Sequence, residues 1–316
     1  VFFSRVGEDD SYVIQVAGYR GATSTSPYVL RVRYEPVVRT SDVTACPARE
    51  NVTPVSAGAA PNIGETTSTL ILTNPQRMTQ RYGGVPVNLA ALAASPVVNG
   101  TVVDITGIPG VATALNQWDA EPCNPDRANR VAGPIQRWVQ STVATHPQIR
   151  HVVIVGGDEV IPFARLQDST VIANESTYVD DFLVGSALHG AHAGRTYLSD
   201  SPYGDLSPIP WLDRYAYLPE LGVGRLVETP AQIDAAIQTF IDNDGLLSPE
   251  TMAVAGYDFL TDGAERTKEN LLSIVDPDDE QNPEGPVLTD VDPNGSLLAE
   301  DWDRPLLRAL GFGDGD

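Results

Sequence analysis

Residues 151–158 read HVVIVGGD, a run of β-branched side chains that ends at two glycines and an aspartate. Near-continuous apolar runs of this kind are typical of strands buried on both faces of a parallel sheet. Similar runs occur at 69–73, 101–105, 221–223 and 252–256. Helical segments lie between them. This alternation predicts an α/β fold, a mostly parallel sheet with helices on both faces.

Two of the intervening segments show the periodicity of helices. Apolar side chains recur on one face from Val131 to Val143. A second helix is predicted over 230–243, with Thr229 as its N-cap and Gln232 completing a capping box. Ligands of open α/β sheets bind at the carboxyl ends of the strands. Asn74 and the loop that begins at Asp158 are therefore expected to lie near the chemistry.

The regions before this α/β domain have a different composition. Residues 1–36 predict two strands with a turn between them, and such a hairpin requires further strands to be stable. It resembles the last strands of the small β-sandwich that is appended to many secreted bacterial and archaeal peptidases. Residues 37–66, rich in Ser, Thr, Pro, Ala and Gly, predict a linker. The α/β domain is then expected over 67–316.

The charge balance restricts the classes of partner. The chain has 42 acidic and 20 Lys and Arg residues, which gives a net charge of −22. Proteins that bind nucleic acid need a basic face, and so do those that dock on anionic membranes. The sequence contains no apolar run of about 18 residues, the length that a membrane-spanning helix requires. We therefore expect neither a nucleic-acid partner nor membrane insertion.

The two cysteines, Cys46 and Cys123, lie in segments rich in proline. They are either a pair of free thiols in a cytosolic protein or a disulfide in an exported one. The sequence also contains His189 and His192, a spacing that a metal site can use. Neither has a nearby cysteine or an H-E-x-x-H arrangement, and the small residues from 185 to 194 indicate a surface loop rather than a zinc site.

A calcium loop is suggested by the oxygen-bearing residues Asp290, Asp292, Asn294 and Asp301. They take the first, third, fifth and twelfth positions of an EF-hand-like pattern. Pro293 stiffens the turn, and the twelfth residue is shorter than the usual Glu. Runs of Asp, Asn and Gly also occur in plain turns. Calcium is therefore one candidate cofactor and an ordinary turn is the alternative.

Several motifs occur in the order found in one peptidase family. They are LILTNP at 70–75, TVVDITGI at 101–108, RHVVIVGGDEVIP at 150–162, SDSPYGD at 199–205 and LPELGVGRL at 218–226. They are spread over about 160 residues from the first motif to the last. The chain resembles the gingipain-like cysteine peptidases, and the resemblance implies a caspase-like fold for the α/β domain.

The resemblance implies a nucleophilic cysteine that is activated by a histidine. In the family this dyad follows the Gly-Arg motif, but this chain has no His and no Cys after Arg225. We therefore expect a secreted cysteine endopeptidase whose dyad lies downstream of Asp316, and we expect these 316 residues alone to be inactive. The alternative is a non-catalytic binding or structural module at the cell surface. Peptide or protein substrates, and other segments of the same polypeptide, are the expected partners.

The resemblance also implies which residues bind substrate. Asp200 corresponds to a carboxylate that lies at the substrate pocket of Arg-specific members, where it would pair with a basic side chain. Tyr203, in the same motif, and Asp158, at the end of a strand, complete the predicted set. In the alternative interpretation, Asp200 and Tyr203 only shape their turn, and Asp158 is a turn or cap residue.

Overall fold

The structure is a computed structural model. It describes residues 46–50, 52–170, 174–211, 214–246, 252–257, 263, 266–267, 269–270 and 287–292. The predicted hairpin of residues 1–36 lies outside these ranges. The chain divides into two compact units, Val1–Asp244 and Gly245–Asp316. The domain expected over 67–316 therefore crosses the boundary between two compact units.

The strands are β1 (Thr69–Thr73), β2 (Gly100–Asp104), β3 (His151–Val155), β4 (Ala164–Gln167), β5 (Thr196–Ser199), β6 (Ile209–Trp211), β7 (Arg214–Ala216), β8 (Gly222–Leu226), β9 (Met252–Tyr257) and β10 (Val287–Asp292). The helices are α1 (Pro75–Tyr82), α2 (Leu89–Ala94), α3 (Val111–Ala120), α4 (Pro125–Thr145), α5 (Ala187–Ala193), α6 (Ser201–Gly204) and α7 (Pro230–Asp242). Short 3-10 helices span Ile105–Gly107 and Glu175–Asp181.

The first unit is built on a parallel sheet with the strand order β2-β1-β3-β8. Two antiparallel strand pairs, β4–β5 and β6–β7, also belong to this unit. In the second unit, β9 and β10 pair in parallel. The predicted α/β class and parallel sheet are confirmed, and the arrangement is consistent with a caspase-like fold. The chain leaves β1 toward β2 on one side, whereas β3 lies on the other, so the strand order reverses between β1 and β3.

Helices cover both faces of this sheet. All five residues of β1 are buried, as expected for the central strand. The predicted stripe on α4 is confirmed, because Val131, Ile135 and Val139 are all buried in the core. Helix α4 packs against α3 and α6, whereas α2 packs against α7. Among the described residues, none of the helices combines the length and apolarity needed to cross a bilayer.

Local hydrogen bonds set the ends of these elements. Strand β2 ends one residue earlier than expected, because the side chain of Asp104 accepts the backbone N–H of Thr106 at 2.9 Å and starts a 3-10 turn. The capping box of α7 is confirmed: the Thr229 hydroxyl accepts the backbone N–H of Gln232, and Gln232 Oε1 accepts the backbone N–H of Thr229 at 3.0 Å.

The described part of the segment read as a linker, 37–66, is docked on the α/β core. Val55 is buried, its N–H donates to Asn116 Oδ1 at 2.7 Å, and Asn116 Nδ2 donates to its carbonyl at 2.9 Å. The carbonyl of Ala59 lies so close to Gly107 that an added Cβ would be 1.9 Å from it. The segment is held mainly through its backbone, and such contacts do not require a periodic pattern of apolar side chains. Its composition therefore predicts a linker although the segment is docked.

Candidate functional site

Arg225, near the end of β8, joins three segments that are distant in sequence. Its Nε donates to Asp200 Oδ2 at 2.8 Å, and its Nη2 donates to Oδ1 at 2.6 Å. Its Nη1 donates to the carbonyls of Gly156 at 2.7 Å and Ile161 at 2.9 Å. The guanidinium carbon lies 4.0 Å from the ring centre of Phe163. The loop after β3, the turn after β5 and the end of β8 are thereby held together at the carboxyl edge of the sheet.

Of the three predicted substrate-binding residues, Asp200 has the most exposed side chain. Its side chain is 18% exposed, whereas that of Arg225 is 8% exposed. Because both carboxylate oxygens already bond to Arg225, a basic substrate side chain would compete with Arg225 for them. The geometry gives Asp200 a role in positioning the Gly-Arg motif, and contact with substrate stays a prediction.

Asp158 forms a second bidentate ion pair, with Arg165. Arg165 Nη1 and Nη2 each donate to one carboxylate oxygen at 2.6 Å, and the Phe163 N–H donates to Oδ1 at 2.9 Å. Asn129 bonds to both backbone polar groups of Arg165. Burial acts to raise the pKa of the Asp158 carboxyl, but Arg165 and the Phe163 N–H outweigh it, so the pKa lies below its usual value. Asp158 is therefore an ionised carboxylate held in place beside the first pair.

Tyr203 lies in the core, where it has no exposed surface. Its hydroxyl donates to the carbonyl of Pro162, and burial raises the pKa of the phenol. A Cβ added to Gly204 would lie 2.3 Å from Val223 Cγ2, which explains why glycine follows the tyrosine. Its ring fills the space beneath the turn and ties that turn to the loop after β3, as in the alternative in which Tyr203 shapes its turn. Contact of Tyr203 with substrate stays a prediction.

Behind these pairs, three guanidinium groups surround the ring of Trp118. The guanidinium carbons of Arg49, Arg77 and Arg165 lie 4.1, 5.5 and 5.4 Å from the ring centre. Asp119 accepts from Arg77 Nη2 at 2.6 Å and from Arg49 Nη1 at 3.1 Å. Burial is the largest cause that lowers the pKa of Arg77. These charged side chains and Trp118 pack together and stabilise the carboxyl edge of the sheet.

Asn74, expected to lie near the chemistry, is fully buried at the end of β1. Its Oδ1 accepts the backbone N–H of Arg77 at 3.1 Å, which makes it the N-cap of α1. Arg77 in turn donates from Nη1 to the carbonyl of Glu159 at 2.7 Å. The polar end of β1 is therefore enclosed by the chain itself.

Cys46 and Cys123 form a disulfide with a Cα–Cα distance of 5.8 Å. These are the two cysteines of the 316-residue sequence, so the chain holds no free thiol. Gly190 packs directly on this bridge, since a Cβ there would lie 2.3 Å from the Cys123 carbonyl oxygen. Thiolate catalysis therefore requires a cysteine from outside these residues.

His189 and His192 lie on helix α5 and not in the loop that the small residues suggested. The Ser186 hydroxyl caps this helix by accepting the His189 N–H at 3.1 Å. His192 is buried, its Nδ1 lies 2.9 Å from the Leu188 carbonyl oxygen, and its ring centre lies 4.3 Å from that of Phe182. These contacts give His192 a packing role. Among the described residues, no group of three or more metal-ligating side chains is close enough to hold an ion.

The suggested calcium loop is described only in part. Asp290 and Asp292 belong to β10, whereas Asn294 and Asp301 lie outside the described residues. Calcium binding there stays a prediction.

No protein-family model, curated protein or solved structure matches this chain. The resemblance to the gingipain-like peptidases therefore rests on the sequence motifs. Sequence reasoning did not single out Arg165, the partner of Asp158, or Phe163, which contacts Asp158 through its N–H and Arg225 through its ring. The alternating FARLQ segment that contains them, 163–167, is a strand signal that could have placed Arg165 beside Asp158.

Proposed function

We propose that this chain is the scaffold of a secreted gingipain-like cysteine endopeptidase. The His/Cys dyad would come from polypeptide after Asp316. The observation that supports the proposal is the set of bonds made by Arg225, which belongs to one motif of the resemblance and binds Asp200 and the Gly156 carbonyl from two others. Because these motifs contact one another, they form one structural unit. Motifs that share a unit support the resemblance to the gingipain-like peptidases more strongly than separate matches along the chain.

Under this proposal, the dyad carries out the catalytic steps and this chain orients the substrate. A thiolate would attack the peptide carbonyl, and a histidine would carry the proton. The disulfide between Cys46 and Cys123 leaves this chain without a thiol and is typical of proteins exported to an oxidising compartment. The scaffold would orient substrate at the carboxyl edge of its sheet, beside the Asp200–Arg225 pair.

The proposal is tested on the natural gene product as it is isolated. It is treated with a biotinylated iodoacetamide without reductant, and the labelled cysteine is mapped by mass spectrometry. Hydrolysis of a fluorogenic peptide amide that ends in arginine is measured before and after labelling. We expect one labelled cysteine outside residues 1–316 and loss of hydrolysis on labelling. The 316-residue chain is the control and should show neither. A natural product without a reactive cysteine and without hydrolysis would contradict the proposal.

The alternative is a non-catalytic binding or structural module at the cell surface. It is favoured by the pairing of the carboxylates at the edge: Asp119, Asp158 and Asp200 each bond to arginine. For Asp158, burial acts to raise the pKa of the carboxyl, but Arg165 and the Phe163 N–H outweigh it and lower the pKa, so this carboxylate is a poor proton acceptor. The labelling experiment separates the two proposals, since the module needs no reactive thiol.

A further inference from the structure

A groove of about 730 Å³, whose lining includes neither Asp200 nor Arg225, contains a group of tyrosines. It is lined by 165–170, by Tyr197 on β5 and by 214–217, on β7 and just after it. Tyr197 and Tyr215 are 40% and 55% exposed, and the ring centres of Tyr215 and Tyr217 lie 6.4 Å apart. Exposed aromatic clusters in a concave site are typical of recognition surfaces. We call this site the tyrosine groove.

Arg214 supplies a positive charge to the tyrosine groove. Its Nη1 donates to the Gln167 carbonyl at 3.2 Å and to the Ser169 hydroxyl, both neutral acceptors. In the part of the chain that the structure describes, no carboxylate forms an ion pair with it. The guanidinium is thus oriented by neutral groups, and its charge remains available to an anionic ligand.

The acidic residue in the lining, Asp168, does not cancel that charge. It is only 6% exposed, and its oxygens accept the backbone N–H groups of Thr170 and Glu175 at 2.8 Å each. Arg165, which also lines the groove, is buried and paired with Asp158. Among the described residues that line the groove, the accessible charge is therefore positive, whereas the net charge of the chain is −22.

The lining chemistry favours a peptide over a small anion. Tyrosine and arginine are enriched in protein-recognition sites, where rigid phenol rings supply contact area at low entropic cost. Burial raises the pKa of Tyr217, so its hydroxyl stays protonated and can donate a hydrogen bond. A volume of about 730 Å³ is far larger than one carboxylate or phosphate requires.

We propose that the tyrosine groove binds an extended acidic peptide segment. One glutamate or aspartate side chain of the peptide pairs with Arg214, and the flanking apolar side chains pack on Tyr215 and Tyr197. The inference does not depend on the proposed peptidase activity, because it concerns binding by this chain alone, at a site other than the Asp200–Arg225 pair.

The test uses the 316-residue chain and fluorescein-labelled hexapeptides, with fluorescence anisotropy as the readout. The probe alternates glutamate and valine, and two matched peptides carry glutamine or lysine in place of glutamate. We expect the acidic peptide to bind at least tenfold more tightly than the glutamine peptide, and its affinity to fall as salt is added. Equal affinity for the acidic and glutamine peptides would overturn the proposal. Binding of an acidic oligosaccharide such as oligogalacturonate, without binding of the peptide, would overturn it as well.

Variants locate the binding site. Arg214→Gln should weaken binding of the acidic peptide about tenfold, as expected for one charge-assisted hydrogen bond. Arg137→Gln, at an exposed position on α4, makes the same charge change and should leave the affinity unchanged. Because Arg214 also holds Gln167 and Ser169, Tyr215→Ala is the second variant; it shortens an exposed ring and should also weaken binding severalfold. Unchanged affinity in a folded Tyr215→Ala variant would place the peptide elsewhere and overturn the proposal.

Discussion

Arg225 and Asp200 meet through two parallel hydrogen bonds, from Nε to Oδ2 at 2.8 Å and from Nη2 to Oδ1 at 2.6 Å. This bidentate geometry is the strongest form of an arginine–carboxylate pair. The same guanidinium bonds to the carbonyls of Gly156 and Ile161. The pair therefore joins β8 to the loop after β3, and Asp200 neutralises a cation that has little access to water.

Replacement of Asp200 by alanine should destabilise the fold. It leaves the guanidinium of Arg225, 8% exposed, without its counter-ion, and we expect the free energy of unfolding to fall by about 3 kcal/mol. Urea denaturation measures the change. The matched control is Glu159→Ala, which removes the Arg81 partner in a pair whose side chains are 57% and 49% exposed and should cost less than about 1 kcal/mol. Similar losses in both variants would contradict the role given to Asp200.

The disulfide between Cys46 and Cys123 should stabilise the fold by closing a long loop, which restricts the unfolded chain. Cys46 and Cys123 are 77 residues apart, and a loop of that length corresponds to about 4.5 kcal/mol of stabilisation in the chain-entropy description. The double variant Cys46→Ser/Cys123→Ser should therefore melt well below the wild type. Under non-reducing conditions, iodoacetamide should add no mass to the unfolded wild-type chain. Addition of one or two carbamidomethyl groups would show that the bridge is absent.

Stability should decline in acid partly through Asp158. Burial acts to raise the pKa of its carboxyl, but Arg165 and the Phe163 N–H outweigh this and lower it. A carboxyl whose pKa is lower in the folded state stabilises the fold above its unfolded pKa, about 3.9, and this contribution is lost as the pH falls through the folded pKa.

The Asp158→Asn variant measures this effect. It should be less stable than the wild type at pH 7, and the difference should narrow as the pH is lowered toward 2. Urea midpoints across this range give the comparison. Asp242→Asn, at an exposed position on α7, is the control and should follow the wild-type curve. If the difference in urea midpoint between Asp158→Asn and the wild type stayed constant from pH 7 to pH 2, ionisation of Asp158 would not contribute to stability as predicted.

Gly107 should tolerate no side chain, because the 53–59 segment lies against it. An added Cβ would lie 1.9 Å from the Ala59 carbonyl oxygen, so Gly107→Ala should displace that segment and cost about 1–3 kcal/mol. Gly224→Ala is the control, since no atom lies within 4 Å of its Cβ. Limited proteolysis should cleave the Gly107→Ala variant faster within 53–59. Equal rates would show that the segment is not docked there.

The elements of the fold were readable from local patterns. The runs at 69–73 and 151–155 are strands with the expected bounds, because a strand buried on both faces is apolar along its whole length. The capping box at Thr229 was readable for a similar reason: its two hydrogen bonds join residues three apart. The docking of Val55 was not readable, because its partner Asn116 is 61 residues away.

The sequence by itself determined the α/β class, the net charge and the absence of a thiol beyond Cys46 and Cys123, since these depend on composition and short-range period. The tertiary structure decided how the polar residues are used. Arg225 lies 25 residues from Asp200 and 69 from Gly156, and its bonds to both exist because β8 is placed beside β3. Ion pairs act over a few ångströms, so only the strand order determines which charges meet.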